Sequence, residues 1–328
     1  MTTQGNIHAL VLFSGGLDSQ LAAVILRSQD ISVTGVVFES IFFNAQTAIN
    51  AAARLNIPLK IIDFNDTIIS LLEHPSHGFG AGLNPCIDCH TAMIRMAGKI
   101  MRDEGLNFVA TGEVLNERPM SQNRRVMPMI AKESGLEGYL LRPLSAKLLE
   151  ITEPEKKKWV DREKLFSIEG RSRRPQLALA RELGITSFPQ PAGGCLLTDP
   201  GYGKKMRDLR NHGELRDLNS IKLLGTGRHF RLGKFKLIIV RNHTENLLLE
   251  KTVQKDLNIM KTISVPGPVA IISSQASEQD IQLATSICAR YSDAGPDTQV
   301  TFEITTGKEK RIIKMLAAEQ DIIDAVHV

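Results

Sequence analysis

The sequence predicts an α/β protein, a doubly wound parallel sheet followed by a smaller α+β domain. Three observations predict it. Apolar runs of strand length alternate with runs of helical spacing through the first third of the 328-residue chain. A glycine-rich turn, SGGLDS, joins the first such strand to the first such helix. Near residue 213 the texture changes to short β-like runs around one long helical pattern.

The elements follow in order. Ile7–Phe13 reads as a buried strand and Asp18–Gln29 as the helix after it. Ile31–Phe38 is a second strand, Asn44–Leu55 a second helix, and Pro58–Ile62 a third strand. Thr67–Leu72 opens another helix, Cys89 to Arg102 reads as a further one, and Asn107–Ala110 is a fourth strand. Strands that alternate with helices form parallel sheets, whose ligands sit at the carboxyl ends of the strands. Two irregular stretches, 74–86 and 188–203, break the pattern, and each carries a cysteine. Loops of that length in a compact domain are usually functional or disordered, and the cysteines favour function. A domain boundary is expected between Asn211 and Lys222, giving domains 1–215 and 216–328. In the second, HFRLGKF, KLIIVRN and GPVAIISS read as strands, EQDIQLATSICARYSDA as a helix, and QVTFEIT as a strand.

Composition narrows the class. Charged residues make up 23% and hydrophobic ones 42%, so the chain is ordinary for a soluble globular protein. The net charge of +4 is too small to argue for nucleic acid, so local clusters must carry that case. No apolar stretch is long enough to span a membrane, and no secretory signal is visible. Four cysteines in so long a chain do not form a disulfide framework. The expectation is a cytoplasmic protein whose thiols are ligands, nucleophiles or packing.

The turn Ser14-Gly15-Gly16-Leu17-Asp18-Ser19 has a direct physical reading. Glycines let the backbone approach a ligand closely, and free N–H groups at a helix N-terminus attract phosphate. The serine hydroxyls can donate to phosphate oxygens. The lysine of the GxxxxGK[ST] loop and the GxGxxG spacing are both absent. In its strand–helix setting SGGLDS resembles the pyrophosphate loop of the N-type ATP pyrophosphatases (PP-loop proteins of the HUP-like, adenine nucleotide alpha hydrolase-like fold). The resemblance implies Mg2+ and ATP, cleaved between its α and β phosphates, and an adenylated acceptor oxygen. It places Phe13, Ser14, Gly15, Gly16, Asp18 and Ser19 around the phosphates, with Asp18 catalytic. It sets Phe38, Thr111 and Gly112 beside the nucleotide, and gives Glu113 a magnesium or tRNA contact.

The cysteines carry the second argument. Cys86 and Cys89 form a CxxC in NPCIDCH, and Cys195 follows in PAGGC. Such a set suits zinc, an iron–sulfur cluster or redox chemistry. Structural zinc takes four ligands, which Cys195 with His90, His74 or His77 would complete. Three thiolates can instead hold a cubane cluster with one iron open. Cys288, on the apolar face of a predicted helix, reads as packing. NPCIDCH, ATGEVLNERPMSQ and QPAGGCLLTD together resemble the tRNA thiouridylases of the MnmA and ThiI type. That resemblance implies a tRNA-uridine sulfurtransferase, with tRNA and a sulfur donor (sulfide, or a cysteine desulfurase or carrier) as partners. Cys86 and Cys195 occupy the positions of a persulfide relay. Cys89 makes a third thiol, as in the thiouridylases that depend on a [4Fe-4S] cluster. The cluster is therefore favoured, with zinc as the alternative and a PP-loop amidating enzyme or ligase of a small molecule as the rival function. A non-catalytic RNA-binding protein on a nucleotide-sensing fold is a third reading, against which the intact SGGLDS argues.

Arginine suits phosphate recognition. Arg118, Arg124 and Arg125 follow the TGE turn, and Arg171, Arg173 and Arg174 precede a predicted helix, so these six are the RNA candidates. Lys156–Lys158 read as a solvated face, and Arg142 as structural. In the second domain, RLG, VRN and ARYSDA at their spacing resemble the RNA-binding domain of NFACT proteins over most of residues 222–306. That likeness implies RNA contacts by Arg228, Arg231, Lys234 and Arg241. The bland alternative is an accessory domain for oligomerisation, which would make the protein a homodimer.

Overall fold

In a computed structural model, residues 7–190, 195–242, 244–246, 249, 257–295 and 297–328 are described. The chain divides into two compact units, residues 1–199 and 200–328.

The first unit is built on five parallel strands, β1 (His8–Leu12), β2 (Ser32–Glu39), β3 (Leu59–Asp63), β4 (Phe108–Thr111) and β5 (Leu140–Leu141), in the order β3-β2-β1-β4-β5. Around it run α1 (Leu17–Arg27), α2 (Gln46–Leu55), α3 (Asn65–Glu73), α4 (Cys86–Asp103), α5 (Val126–Glu133), α6 (Glu153–Lys156) and α7 (Arg174–Glu182). Side chains alternate across a strand. Accordingly Ala9, Val11, Val33, Val37, Phe108 and Ala110 join the core formed with α1, α2 and α7. Leu10 and Val109, fully buried, belong to the opposite set, and α4 lies against β1 and β4. The strand order reverses at β1: the chain steps outward to β2 and β3, then returns to lay β4 on β1's other side. A reversal of this kind opens a crevice at the carboxyl ends of the two central strands.

The helix expected from Cys89 opens three residues earlier, at Cys86, directly after Pro85. Both cysteines of the CxxC therefore stand on its first turn, three apart and on one face.

The second unit holds an antiparallel sheet of six strands, β6 (Arg228–Leu232), β7 (Phe235–Ile239), β8 (Leu257–Thr262), β9 (Val269–Ser273), β10 (Val300–Thr306) and β11 (Glu309–Met315), in the order β11-β10-β8-β9-β7-β6. Its helices are α8 (Pro200–Asn211), α9 (Leu218–Leu223), α10 (Glu278–Arg290) and α11 (Gln320–Val326). A capping box between Ser277 and Asp280 starts α10. Ile281, Ala284, Ile287 and Cys288 of α10 pack with Phe230, Met260, Ile272 and Phe302 of the strands. Cys288 is fully buried, as its position on the apolar face predicts, and burial pushes its thiol up to about 12.

The division falls at residue 199 rather than at the expected 215. The cause lies in α8, whose Asp208 binds Arg231 of β6 through two hydrogen bonds, of 3.0 and 2.6 Å, and Lys236 of β7 at 2.9 Å. That helix is held by the second sheet. Among the described residues, no helix is long and apolar enough to cross a membrane.

Candidate active site

The loop after β1 turns sharply because Gly15 adopts φ +76°. A Cβ there would stand 2.4 Å from the Thr47 carbonyl oxygen, so the start of α2 packs on the loop itself. The loop is tied internally: Ser19 Oγ donates to Gly16 O at 2.9 Å, and Gly16 N–H donates to Ser14 Oγ at 3.3 Å. Gln20 Nε2 donates to Gly15 O at 2.8 Å. No side chain caps α1, whose N-cap is Gly16. The N-terminal N–H groups of a helix carry partial positive charge and suit an anion. From β4, Gly112 reaches the same place: a Cβ on it would lie 2.5 Å from Asp18 C and 2.6 Å from Ser19 N. Only a glycine lets the end of β4 sit against the first turn of α1.

Around this junction lies one cavity of about 460 Å3. Phe13, Ser14, Gly16, Asp18, Ser19, Phe38, Thr111 and Gly112 line it, and so do Cys86, Cys89 and Cys195. All but Gly15 of the residues assigned to nucleotide and to sulfur thus share one space. Phe43 and Asn44, in the turn after β2, also line it, and Phe38 and Phe64 meet edge-to-face at 5.5 Å. Of the six arginines, Arg118 reaches the wall. Arg173 acts at a distance, its charge opposing the burial that raises the Asp18 carboxyl above its ordinary value. Arg124 pairs with Glu169 at 3.7 Å on the surface, and Arg125, Arg171 and Arg174 are exposed.

The thiols come together because two loops are joined: Leu83 N–H donates to Leu197 O at 3.1 Å. Asn84 Nδ2 donates to Cys86 Sγ at 3.0 Å. Burial, with the nearby Cys195 and Cys86 sulfurs, holds the Cys89 thiol well above the ordinary range, and burial lifts Cys195 to about 11. The donor set, three soft thiols on one wall, has the chemistry of an iron–sulfur or zinc site. Among the described residues, however, no group of three or more His, Cys, Asp or Glu stands in an arrangement that would hold an ion. The PAGG segment before Cys195 lies outside the described residues. Two of the histidines expected to complete a zinc site have other partners: His77 meets Glu133 at 2.9 Å, and His90 Nδ1 meets Glu113 at 2.9 Å. His74, the C-cap residue of α3, does not line the cavity.

Glu113 is likewise not free to meet magnesium or tRNA. Its carboxylate is buried and accepts from Arg142 Nε at 2.9 Å and Thr111 Oγ1 at 3.2 Å, besides its bond to His90. Burial alone would raise it, but the Arg142 charge and the His90 bond bring it down to about 2. Arg142 also donates to Met127 O at 3.1 Å, so its expected structural role is what the geometry gives.

Two polar residues on the cavity wall, Gln122 and Glu117, escape a reading of the sequence. Gln122 Oε1 and, on Asp18, Oδ1 are buried without a hydrogen-bond partner. Glu117 lines the cavity beyond the TGE turn, and burial together with the Asp18 charge raises its carboxyl to about 6. Asn116, at φ +63°, makes the turn that brings it there. The one signal in the sequence was a second carboxylate four residues after Glu113.

Comparison with known proteins agrees with this geometry. Residues 7–153 match the tRNA methyl transferase HUP domain family, and residues 227–325 match the NFACT protein RNA binding domain. The chain is similar to the tRNA-specific 2-thiouridylase MnmA of Bradyrhizobium sp. (strain ORS 278), 28% identical over 153 residues. That alignment covers 41% of this chain and 38% of the relative, so the chain spans well under half of that relative's length. The MnmA of Azorhizobium caulinodans is 23% identical over an alignment of 98% of this chain and 79% of the relative. Among solved structures, a 4-thiouridine synthetase–RNA complex with bound ATP has a TM-score of 0.42 at 18% identity, covering 66% of this chain and 52% of that one. The first unit thus has a HUP/PP-loop-like fold and is similar to tRNA 2-thiouridylases, and the second carries an NFACT-like region.

Proposed function

We propose that the chain is an ATP-dependent tRNA-uridine sulfurtransferase. One observation carries the reading: a single cavity has an uncapped, glycine-turned helix N-terminus and three thiols on its wall. A small-molecule ligase needs the first feature and would leave the three thiols to a structural zinc. The relatives' names, tRNA-specific 2-thiouridylases, support the same choice.

ATP enters as its Mg2+ complex. The uncapped N–H groups of α1 and the hydroxyls of Ser14 and Ser19 hold the β and γ phosphates, with Gly15 and Gly16 allowing close approach. Phe13, Phe38, Thr111 and Gly112 flank the nucleotide, and Asp18 faces its phosphates. A uridine carbonyl oxygen attacks the α-phosphorus and pyrophosphate leaves, stabilised by these fixed donors. A sulfur nucleophile then displaces AMP from the activated carbon. Cys86, Cys89 and Cys195 are the residues that would hold a [4Fe-4S] cluster, and when bound it supplies that sulfur. Asn84, donating to Cys86 Sγ, fixes the position of that sulfur. The raised thiol of Cys195 is a poor free nucleophile, which favours metal-assisted chemistry over a relay between Cys86 and Cys195. Arg118, Arg124, Arg125, Arg171, Arg173 and Arg174 grip the tRNA backbone. Sulfide, or a cysteine desulfurase or carrier, is the sulfur source.

Anaerobic purification with iron and sulfide assays tests the cluster. A broad absorbance near about 400 nm, lost in Cys86→Ala, Cys89→Ala and Cys195→Ala, is the expected result. A colourless protein holding one zinc ion would overturn the cluster and return the small-molecule ligase to contention.

A further inference from the structure

Adenylating a uridine carbonyl oxygen has a proton to account for. As the oxygen bonds to the α-phosphorus, N3 must give up its hydrogen, or the adenylate carries a full positive charge. A group on the cavity wall has to receive that proton. Two of the wall's titratable groups are committed, and a third, His90, through one of its two ring nitrogens. Glu113 is consumed by Arg142, Thr111 and His90. His90 spends Nδ1 on Glu113, and Asp18 belongs to the phosphate loop. The cysteines are reserved for sulfur.

Glu117 is different. It is half-buried on the cavity wall, and among the described residues its carboxylate has no hydrogen-bond partner. The left-handed turn at Asn116, with Glu117 N–H donating to Val114 O at 3.2 Å, aims the residue back toward the cavity. We propose that Glu117 is the general base of the adenylation step, taking the N3 proton of the target uridine. In that step the N3–H bond breaks and a carboxyl O–H forms on Glu117. The uridine oxygen bonds to the α-phosphorus, and the bond from that phosphorus to the pyrophosphate oxygen breaks. No oxidant or reductant is needed. The proposal rests on the thiolation reading above.

The electrostatics suit the task. Asp18 on α1 faces Glu117 and, with burial, raises its carboxyl to about 6. Arg118 beside it and Arg173 before α7 act against that rise. A base must be deprotonated to work, so the rate falls as pH drops through that value. A base with a pKa near working pH is efficient.

The test uses the full chain, purified anaerobically, with Mg2+-ATP, sodium sulfide and unmodified tRNA transcripts as probes. AMP formation is followed from pH 5 to 9 in wild type, Glu117→Gln and Glu117→Asp. ATP binding and melting temperature are measured alongside. Glu117→Gln is expected to lose about a hundredfold or more in tRNA-dependent AMP formation. ATP binding should stay within about twofold, and the acid limb near pH 6 should vanish from the residual rate. Glu117→Asp is expected to restore part of the rate and the limb, a result no merely structural role gives. If Glu117→Gln matches wild type, or keeps the acid limb, the base assignment is wrong while the thiolation reading stands. If wild type itself forms no AMP with tRNA, the thiolation reading falls and the base with it.

Discussion

The two units treat their charged residues in opposite ways. In the first, part of the cavity wall stays unpaired beside the Glu113–His90–Arg142 cluster: Asp18 Oδ1 and Gln122 Oε1 have no partner, and Glu117 stands without a hydrogen bond among the described residues. In the second, the arginines expected to touch RNA turn to their own chain. Arg231 binds Asp208 and Glu214, with four bonds between 2.6 and 3.0 Å. Arg241 folds back on Glu245, and Arg228 lies 4.5 Å over the Tyr291 ring. Buried polar groups are normally paired, so the two unpaired atoms on the cavity wall, Asp18 Oδ1 and Gln122 Oε1, are places where a ligand can complete them. Paired arginines at a sheet edge mark structure first. A charge in a sequence does not reveal which kind it is until its partner is known.

Substitutions sharpen that contrast. The largest effect is expected at the thiols. Cys86→Ala or Cys195→Ala should lower thiolation by about a thousandfold or more, with ATP binding unchanged, in a mercury-gel assay of the tRNA. Arg142→Ala comes next. It strands the buried Glu113 carboxylate and should cost about 3–5 kcal/mol in urea unfolding. The pH dependence has a definite sign. The folded Glu113 carboxyl is held down to about 2, against 4.5 as its ordinary value. Its contribution is complete above pH 4.5 and fades as pH falls toward 2. Urea midpoints between pH 7 and 3 should therefore drop in wild type and drop less in Arg142→Ala.

Gly15→Ala should follow. The forced φ and the clash with the Thr47 carbonyl predict about 2 kcal/mol of lost stability and a loss of ATP binding by calorimetry. In the second unit, Arg231→Ala should cost about 1–2 kcal/mol, since its network is only partly buried. Arg241→Ala should change stability by about 0.5 kcal/mol or less, because its pair with Glu245 is half exposed. If Arg231→Ala weakened tRNA binding without touching stability, the contrast between the units would fail.

Much of the first unit could be read directly. Alternating runs such as HALVL and SVTGVVFE located the central strands, because parallel strands covered on both faces are continuously apolar. SGGLDS and the two cysteine loops pointed to residues that the fold does bring to one cavity. What could not be read was partnership across long separations. Glu113 looked as available as Glu117, and only the arrival of Arg142 from β5 and His90 from α4 separates them. Arg231 looked as free as Arg118, until α8 supplied Asp208. The strands β8 and β11 also escaped notice. EKRIIKM is largely exposed at a sheet edge, so its composition resembles a loop, and KDLNIMKT carries little alternation to either side.

The most direct measurement is the stoichiometry of the proposed reaction. Unmodified tRNA transcripts, Mg2+-ATP and a sulfide source are incubated anaerobically with the full chain, and AMP and thiolated RNA are counted together. The account predicts one thio group for each AMP, both requiring tRNA and both lost in Gly15→Ala. AMP released without RNA, or in the presence of RNA with no sulfur transferred to it, would contradict it.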